Sequence, residues 1–109
     1  MRRGDIHELR PPRGKGHEQR GRRFGVILQA EEFLPRSVVI VAPTSQSARA
    51  ATFRPEIEIG DEPTRILVEQ LGAVNTSRLG KLVGHVAPPE QWAIDDCLRL
   101  VLGLRSGSH

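Results

Sequence analysis

Arg22-Arg23-Phe24-Gly25-Val26-Ile27-Leu28-Gln29 decides how the rest of the chain is read. Two adjacent guanidinium groups run straight into an apolar segment. Val26, Ile27 and Leu28 leave no polar face, which predicts a strand buried on both sides. An arginine at the mouth of such a strand is held by the scaffold while its fork of donors faces solvent, an arrangement suited to an anion. A second apolar run follows, Ser37-Val38-Val39-Ile40-Val41-Ala42, whose valines and isoleucine make it the firmest strand of the chain. Pro43 has no amide hydrogen to donate, so the ladder is expected to stop there, with the hydroxyls of Thr44 and Ser45 free at the strand's exit. Arg23 and Thr44 are thus expected together at one end of a small β scaffold.

Working outward, Ile6-His7-Glu8-Leu9 alternates apolar with polar and predicts a half-buried strand. Residues 10–21 hold two prolines and three glycines and predict a mobile, solvent-facing connection. Residues 30–35 turn the chain, with Phe33 and Leu34 covering one end of the core. Beyond the small-residue loop 47–51, residues 53–59 alternate again, with Ile57 and Ile59 on one face and Glu56 and Glu58 on the other; Pro55 predicts an edge strand. Further strands are predicted over 65–70, 73–76 and 79–86. The last element differs in kind. Pro89 suits a first helical turn, Ile94, Cys97, Leu98, Val101 and Leu102 recur at helical spacing, and Gly103 closes the helix. Trp92 is expected to pack, at a dimer contact or within the fold. Residues 105–109 carry no pattern and are set aside as an expression remnant or unstructured tail, leaving a single domain over 1–104. The fold class is therefore α+β, dominated by β: five to seven short strands bent into a small barrel and capped by a C-terminal helix.

At 109 residues the chain suits one domain, and no apolar run approaches the ~18 residues of a membrane span. No signal-peptide core follows the basic start, which points to the cytoplasm, and the single Cys97 cannot form an internal disulfide. No metal-binding spacing is visible. Formal net charge is +3, and only two of the 16 basic residues are lysines. Arginine forks match phosphate geometry and stack on bases; a coding bias toward arginine would leave the same trace, so position must decide. Between residues 10 and 23 stand Arg10, Arg13, Lys15, Arg20, Arg22 and Arg23 against Glu18 alone, concentrating positive field beside the first long strand. Gly14-Lys15-Gly16 is not a nucleotide loop, because no Ser or Thr follows the lysine at the required spacing.

Arg3-Gly4-Asp5-Ile6, then Gly16-His17-Glu18-Gln19-Arg20-Gly21-Arg22-Arg23 leading into Val26-Ile27-Leu28-Gln29, then Val39-Ile40-Val41-Ala42-Pro43-Thr44-Ser45, resemble MazF/PemK-type toxins of bacterial toxin–antitoxin pairs in order and spacing. Glu69-Gln70, Arg78-Leu79 and the closing Leu102-Gly103-Leu104 extend the similarity over nearly the whole chain. The resemblance implies an SH3-like barrel of the MazF/CcdB type and a homodimer. It implies a metal-independent endoribonuclease without cofactor that cuts single-stranded RNA at a short sequence, inhibited by a cognate antitoxin. In that family the arginine ending the Gly-x-Glu-Gln-x-Gly-x-Arg motif and the threonine after the next strand are catalytic; they fall on Arg23 and Thr44. The family's usual proline after that arginine is Phe24 here, which either reorients the strand's start or stacks on a base.

RNA cleavage without metal uses the 2′-hydroxyl as nucleophile, which DNA lacks. Arg23 fits the stabilisation of negative charge on phosphorus oxygens better than proton abstraction, since a guanidinium stays protonated. Thr44 fits a hydrogen bond to a non-bridging oxygen. Glu18 ranks above His17 as general base because it lies in the family motif. His17, Gln19, Arg20, Arg22, Phe24, Ser45 and Gln46 are the candidate RNA-binding residues. Two rival functions share the scaffold: a CcdB-like protein inhibitor of a DNA topoisomerase, for which the chain's end lacks an aromatic anchor, and an RNA-binding barrel without catalysis.

Overall fold

In the computed structural model, which describes residues 1–11, 23–34 and 36–104, the two apolar runs form the middle of one antiparallel sheet. Strands β1 (Asp5–Leu9), β2 (Phe24–Ile27) and β3 (Val38–Ser45) are followed by β4 (Glu56–Ile59), β5 (Glu62–Ile66), β6 (Gly72–Asn75), β7 (Leu79–His85) and a single helix, α1 (Pro88–Leu102). Burial in β2 matches its unbroken apolar run: Val26 joins one core cluster and Ile27 the other, with Leu28 just beyond the strand returning to the first. The larger cluster links sheet to helix through Ile6, Val26, Ile57, Ile66, Ile94 and Cys97. Ile27, Val39 and Val41 form the smaller one, with Leu34, Val74 and Leu79 packed against it.

The long strand β3 organises the sheet because it changes partners along its length. Residues Val38 to Val41 pair with β6, Val41 to Pro43 pair with β2, and Thr44 and Ser45 pair with β5. The path β4-β5-β3-β2-β1-β7 leaves β4 and β7 as its ends, so the sheet curls into a half-barrel whose two edges are not hydrogen-bonded to each other. Exposed Glu56 and Glu58 keep the β4 edge charged, as edge strands require.

Pro43 does not stop β3. Its carbonyl accepts the Leu67 N–H at 2.8 Å, and the strand runs on to Ser45 by taking β5 as its new neighbour. The strand predicted over 65–70 lies earlier: β5 already includes Pro63, at a point where it pairs with β4 alone, and Val68–Gln70 is a 3₁₀ turn. Phe33 does not cover the core either; it is 53% exposed, with the Arg36 guanidinium 6.0 Å from its ring centre. Helix α1 begins with two prolines, and the Glu90 carboxylate accepts the Ala87 N–H at 2.7 Å. It ends at Gly103, whose φ of 67° is the left-handed conformation that a side chain resists. Trp92, expected to pack within the fold or at a dimer contact, is 65% exposed in the single chain.

Candidate functional site

Arg23 stands immediately before β2, and its backbone is fixed there: the Arg23 carbonyl accepts the Leu9 N–H at 2.9 Å, tying the start of β2 to the end of β1. Its side chain is exposed, and among the described residues the guanidinium has no hydrogen-bond or ion-pair partner. A positioned backbone with an exposed fork of donors is the arrangement an anion needs.

Thr44 lies across the β2–β3 ladder. It is only 3% exposed, and its Oγ1 donates to the Phe24 carbonyl at 3.2 Å. The two side chains singled out from the sequence thus belong to one piece of structure, because Thr44 is bonded to the residue that follows Arg23. The hydroxyl is not free at a strand exit, as the sequence predicted; its proton is engaged and only its acceptor side is unspent. Ser45 Oγ accepts the Ser47 N–H at 3.3 Å and lies 3.4 Å from Ser47 Oγ, which folds the chain back after β3. Gln46 is exposed, and Phe24 is half-buried against the larger core cluster. Glu18, His17, Gln19, Arg20 and Arg22 lie outside the described residues.

The loop after Gln46 is tied down by groups that the pattern of residues did not single out. Arg54 donates from Nε and Nη2 to Glu69 Oε2, at 3.0 and 2.6 Å, and from Nη1 to the Arg49 carbonyl at 3.2 Å. The Arg54 hydrogen bonds hold the Glu69 carboxyl below the usual carboxylate range, against the opposing effect of burial. Arg65 Nε donates to the Ala48 carbonyl at 3.2 Å, and Cys97 Sγ to the Thr52 carbonyl at 3.4 Å. Burial pushes the Cys97 thiol up, which fits packing rather than reactivity.

On the other flank, Arg10 and Arg78 hold β1 and β7 together where the basic segment begins. Arg78 Nε donates to the Arg10 carbonyl at 2.7 Å, the Arg10 N–H donates to the Arg78 carbonyl at 2.7 Å, and Arg10 Nη1 donates to the Ser77 carbonyl at 2.8 Å. Glu69-Gln70 and Arg78-Leu79 were legible as similarity, but their bonding partners were not. Among the described residues no group of His, Cys, Asp and Glu side chains could hold a metal ion, and no helix is long and apolar enough to cross a membrane.

Comparison with known proteins agrees with this fold. A relative from Mycobacterium tuberculosis (strain ATCC 25618 / H37Rv), the toxin candidate Rv3098A, is 50% identical over 91 residues, covering 83% of this chain and 85% of its own length. Among solved structures, an endoribonuclease in complex with its cognate antitoxin from a mycobacterial species superposes with a TM-score of 0.79 at 16% identity, over 98% of this chain and 99% of that one. The MazE–MazF complex of Deinococcus radiodurans gives 0.80 at 18% identity, over 96% and 97%. At such identities the likeness is one of fold. The profile of one family, described as PemK-like, MazF-like toxin of type II toxin–antitoxin system, matches residues 2–102, and the chain belongs to that family.

Proposed function

We propose that this toxin is a sequence-specific, metal-independent endoribonuclease that cuts single-stranded RNA, working as a cytoplasmic homodimer silenced by a cognate antitoxin. The observation that carries the reading is the Thr44 Oγ1 to Phe24 carbonyl hydrogen bond of 3.2 Å, which couples the threonine to the strand that begins beside Arg23, exposed and without a side-chain partner among the described residues. The mycobacterial structural neighbour is an endoribonuclease with its antitoxin, and the same activity and partner are carried over here. The half-barrel is read as the SH3-like barrel type of MazF and CcdB. Exposed Val38, Ile40 and Leu82 offer apolar surface suited to a second copy.

In this mechanism the substrate's own 2′-hydroxyl attacks the adjacent phosphorus, and Glu18 takes its proton. The bond from phosphorus to the 5′-oxygen breaks, and that oxygen leaves with a proton delivered by a general acid. The products are a 2′,3′-cyclic phosphate and a 5′-hydroxyl. Arg23 supplies a planar pair of donors to the oxygens on which charge builds up. Thr44 exchanges its bond to the Phe24 carbonyl for one to a non-bridging oxygen. His17, Gln19, Arg20, Arg22, Phe24, Ser45 and Gln46 are the residues proposed to bind its phosphates and bases.

The test is incubation of the wild type and Arg23→Ala with a long single-stranded RNA in excess chelator, followed by mapping of cut positions and end groups. Discrete cuts ending in cyclic phosphate, lost in the variant, are the expected result. Intact RNA with folded, antitoxin-free wild-type protein would overturn the reading in favour of RNA binding without catalysis or topoisomerase inhibition.

A further inference from the structure

Between the two ends of the half-barrel lies a cavity of about 360 Å³, lined by Phe24, Gln46, Ile59, Gly60, Glu62 and Val83. It falls within the roughly 300–1,000 Å³ of small-ligand pockets. One wall is β2 and the chain just past β3; the other is the tip of the β4–β5 hairpin together with β7. Gly60 and Asp61, both with positive φ, make the tight hairpin turn that presents Glu62 at the first position of β5, opposite Ile59.

Three features distinguish this cavity from the rest of the surface. Its aromatic side chain is Phe24, whose own carbonyl receives the Thr44 hydroxyl, and Gln46 is two residues beyond Thr44. Phe24, Ile59 and Val83 are apolar, whereas Gln46 and Glu62 bring polar groups that have no side-chain partner among the described residues. Those two groups are also complementary in kind: a carboxylate only accepts hydrogen bonds, and an amide both donates and accepts.

We infer that this cavity takes one unstacked base of the RNA against Phe24, and that Glu62 selects a base carrying an exocyclic amine: guanine, adenine or cytosine, and not uracil. Single-stranded RNA is read by stacking bases on aromatic rings and hydrogen-bonding their Watson–Crick edges, and a carboxylate accepts from amino groups there. The Gln46 amide then serves the ring nitrogen beside that amine, donating to adenine N1 or cytosine N3 and accepting from guanine N1–H. Uracil instead offers one N–H between two carbonyl oxygens, both of which would face the carboxylate. The phosphates need not approach the hairpin, since the base alone enters.

This assignment rests on the ribonuclease reading and is tested separately from it. Cut sites are first mapped on wild type. Short RNAs that differ at single positions around the preferred cut are then compared for kcat/KM with wild type, Glu62→Gln and Gln46→Ala. In wild type, one position discriminates against uracil by about ten- to hundredfold. Glu62→Gln, whose amide can also donate, abolishes most of that discrimination at that position and no other; Gln46→Ala lowers it at the same position. Wild-type cutting with unchanged base ratios in Glu62→Gln and Gln46→Ala overturns the base pocket and leaves the ribonuclease standing. Intact RNA with wild type removes both.

Discussion

Thr44 Oγ1 lies 3.2 Å from the Phe24 carbonyl, across the ladder that joins the site's two strands. In the proposed mechanism the hydroxyl therefore has a structural bond to give up before it serves a phosphate. Thr44→Val keeps the shape and removes the side-chain donor to the Phe24 carbonyl. It should cost about 1 kcal/mol of stability and lower turnover by about a hundredfold, while Thr44→Ser retains much of both. Urea unfolding and single-turnover RNA cleavage measure the two effects independently. A stability loss with full activity in the valine variant would reduce Thr44 to a strand fastener.

Arg23 is exposed, yet its backbone is fixed by the Leu9 N–H. Its contribution should accordingly lie in the geometry of the fork more than in the charge. Arg23→Lys is expected to lose about ten- to hundredfold in turnover, with melting temperature unchanged, because a point charge replaces two parallel donors. Near-normal turnover in the lysine variant would show that positive charge alone suffices.

Much of this arrangement was legible from local pattern. The apolar runs of β2 and β3 announce strands because consecutive β-branched residues favour extended backbone, although only β2 is buried on both faces and β3 leaves Val38 and Ile40 exposed. The closing helix is marked by Pro89 and Gly103 at its two ends. Arg23 and Thr44 emerged from motif spacing, and the structure brings their strands together. What stayed hidden depended on partners remote in the chain. Pro43 looked terminal because proline cannot donate, but β3 continues by changing neighbours, a property of topology and not of proline. Arg54 and Glu69 are 15 residues apart and Arg10 and Arg78 are 68 apart. Neither separation leaves a periodic trace, so charge type alone could not pair them.

The Arg54–Glu69 pair should govern order in the loop that follows Gln46. Arg54→Ala strips Glu69 of both hydrogen bonds and frees the Arg49 carbonyl, leaving a half-buried carboxylate whose Oε1 already has no partner among the described residues. A stability loss of about 1–3 kcal/mol is expected, with faster amide exchange across residues 46–55. In the ribonuclease assay the variant should raise KM more than it lowers kcat, because Arg23 and Thr44 are untouched. Unchanged exchange in the loop would mean that Ala48 and Thr52, held by Arg65 and Cys97, are sufficient anchors.

Asp5 and His85 carry the last prediction, one of stability against pH. Asp5 is 5% exposed; its Oδ1 lies 2.8 Å from His85 Nδ1, and its Oδ2 accepts the Arg2 N–H at 2.8 Å. Gly4, at φ 91°, makes this packing possible, since a Cβ there would sit 3.1 Å from the His85 ring and 2.9 Å from Gln91 Oε1. Burial raises the Asp5 pKa, but the hydrogen bonds from His85 and Arg2 outweigh it and leave the carboxyl below its usual value. A carboxyl depressed in the folded state binds its proton more readily when unfolded. Its contribution is therefore complete above the unfolded pKa and disappears as pH falls through the carboxylate range toward the folded value. Asp5→Asn should cost about 1–3 kcal/mol at neutral pH and flatten the acid limb of the stability curve, so that the two proteins converge in acid. Urea midpoints for both, followed from neutral pH downward, provide the measurement, and parallel curves would show that the Asp5 charge contributes nothing to the fold.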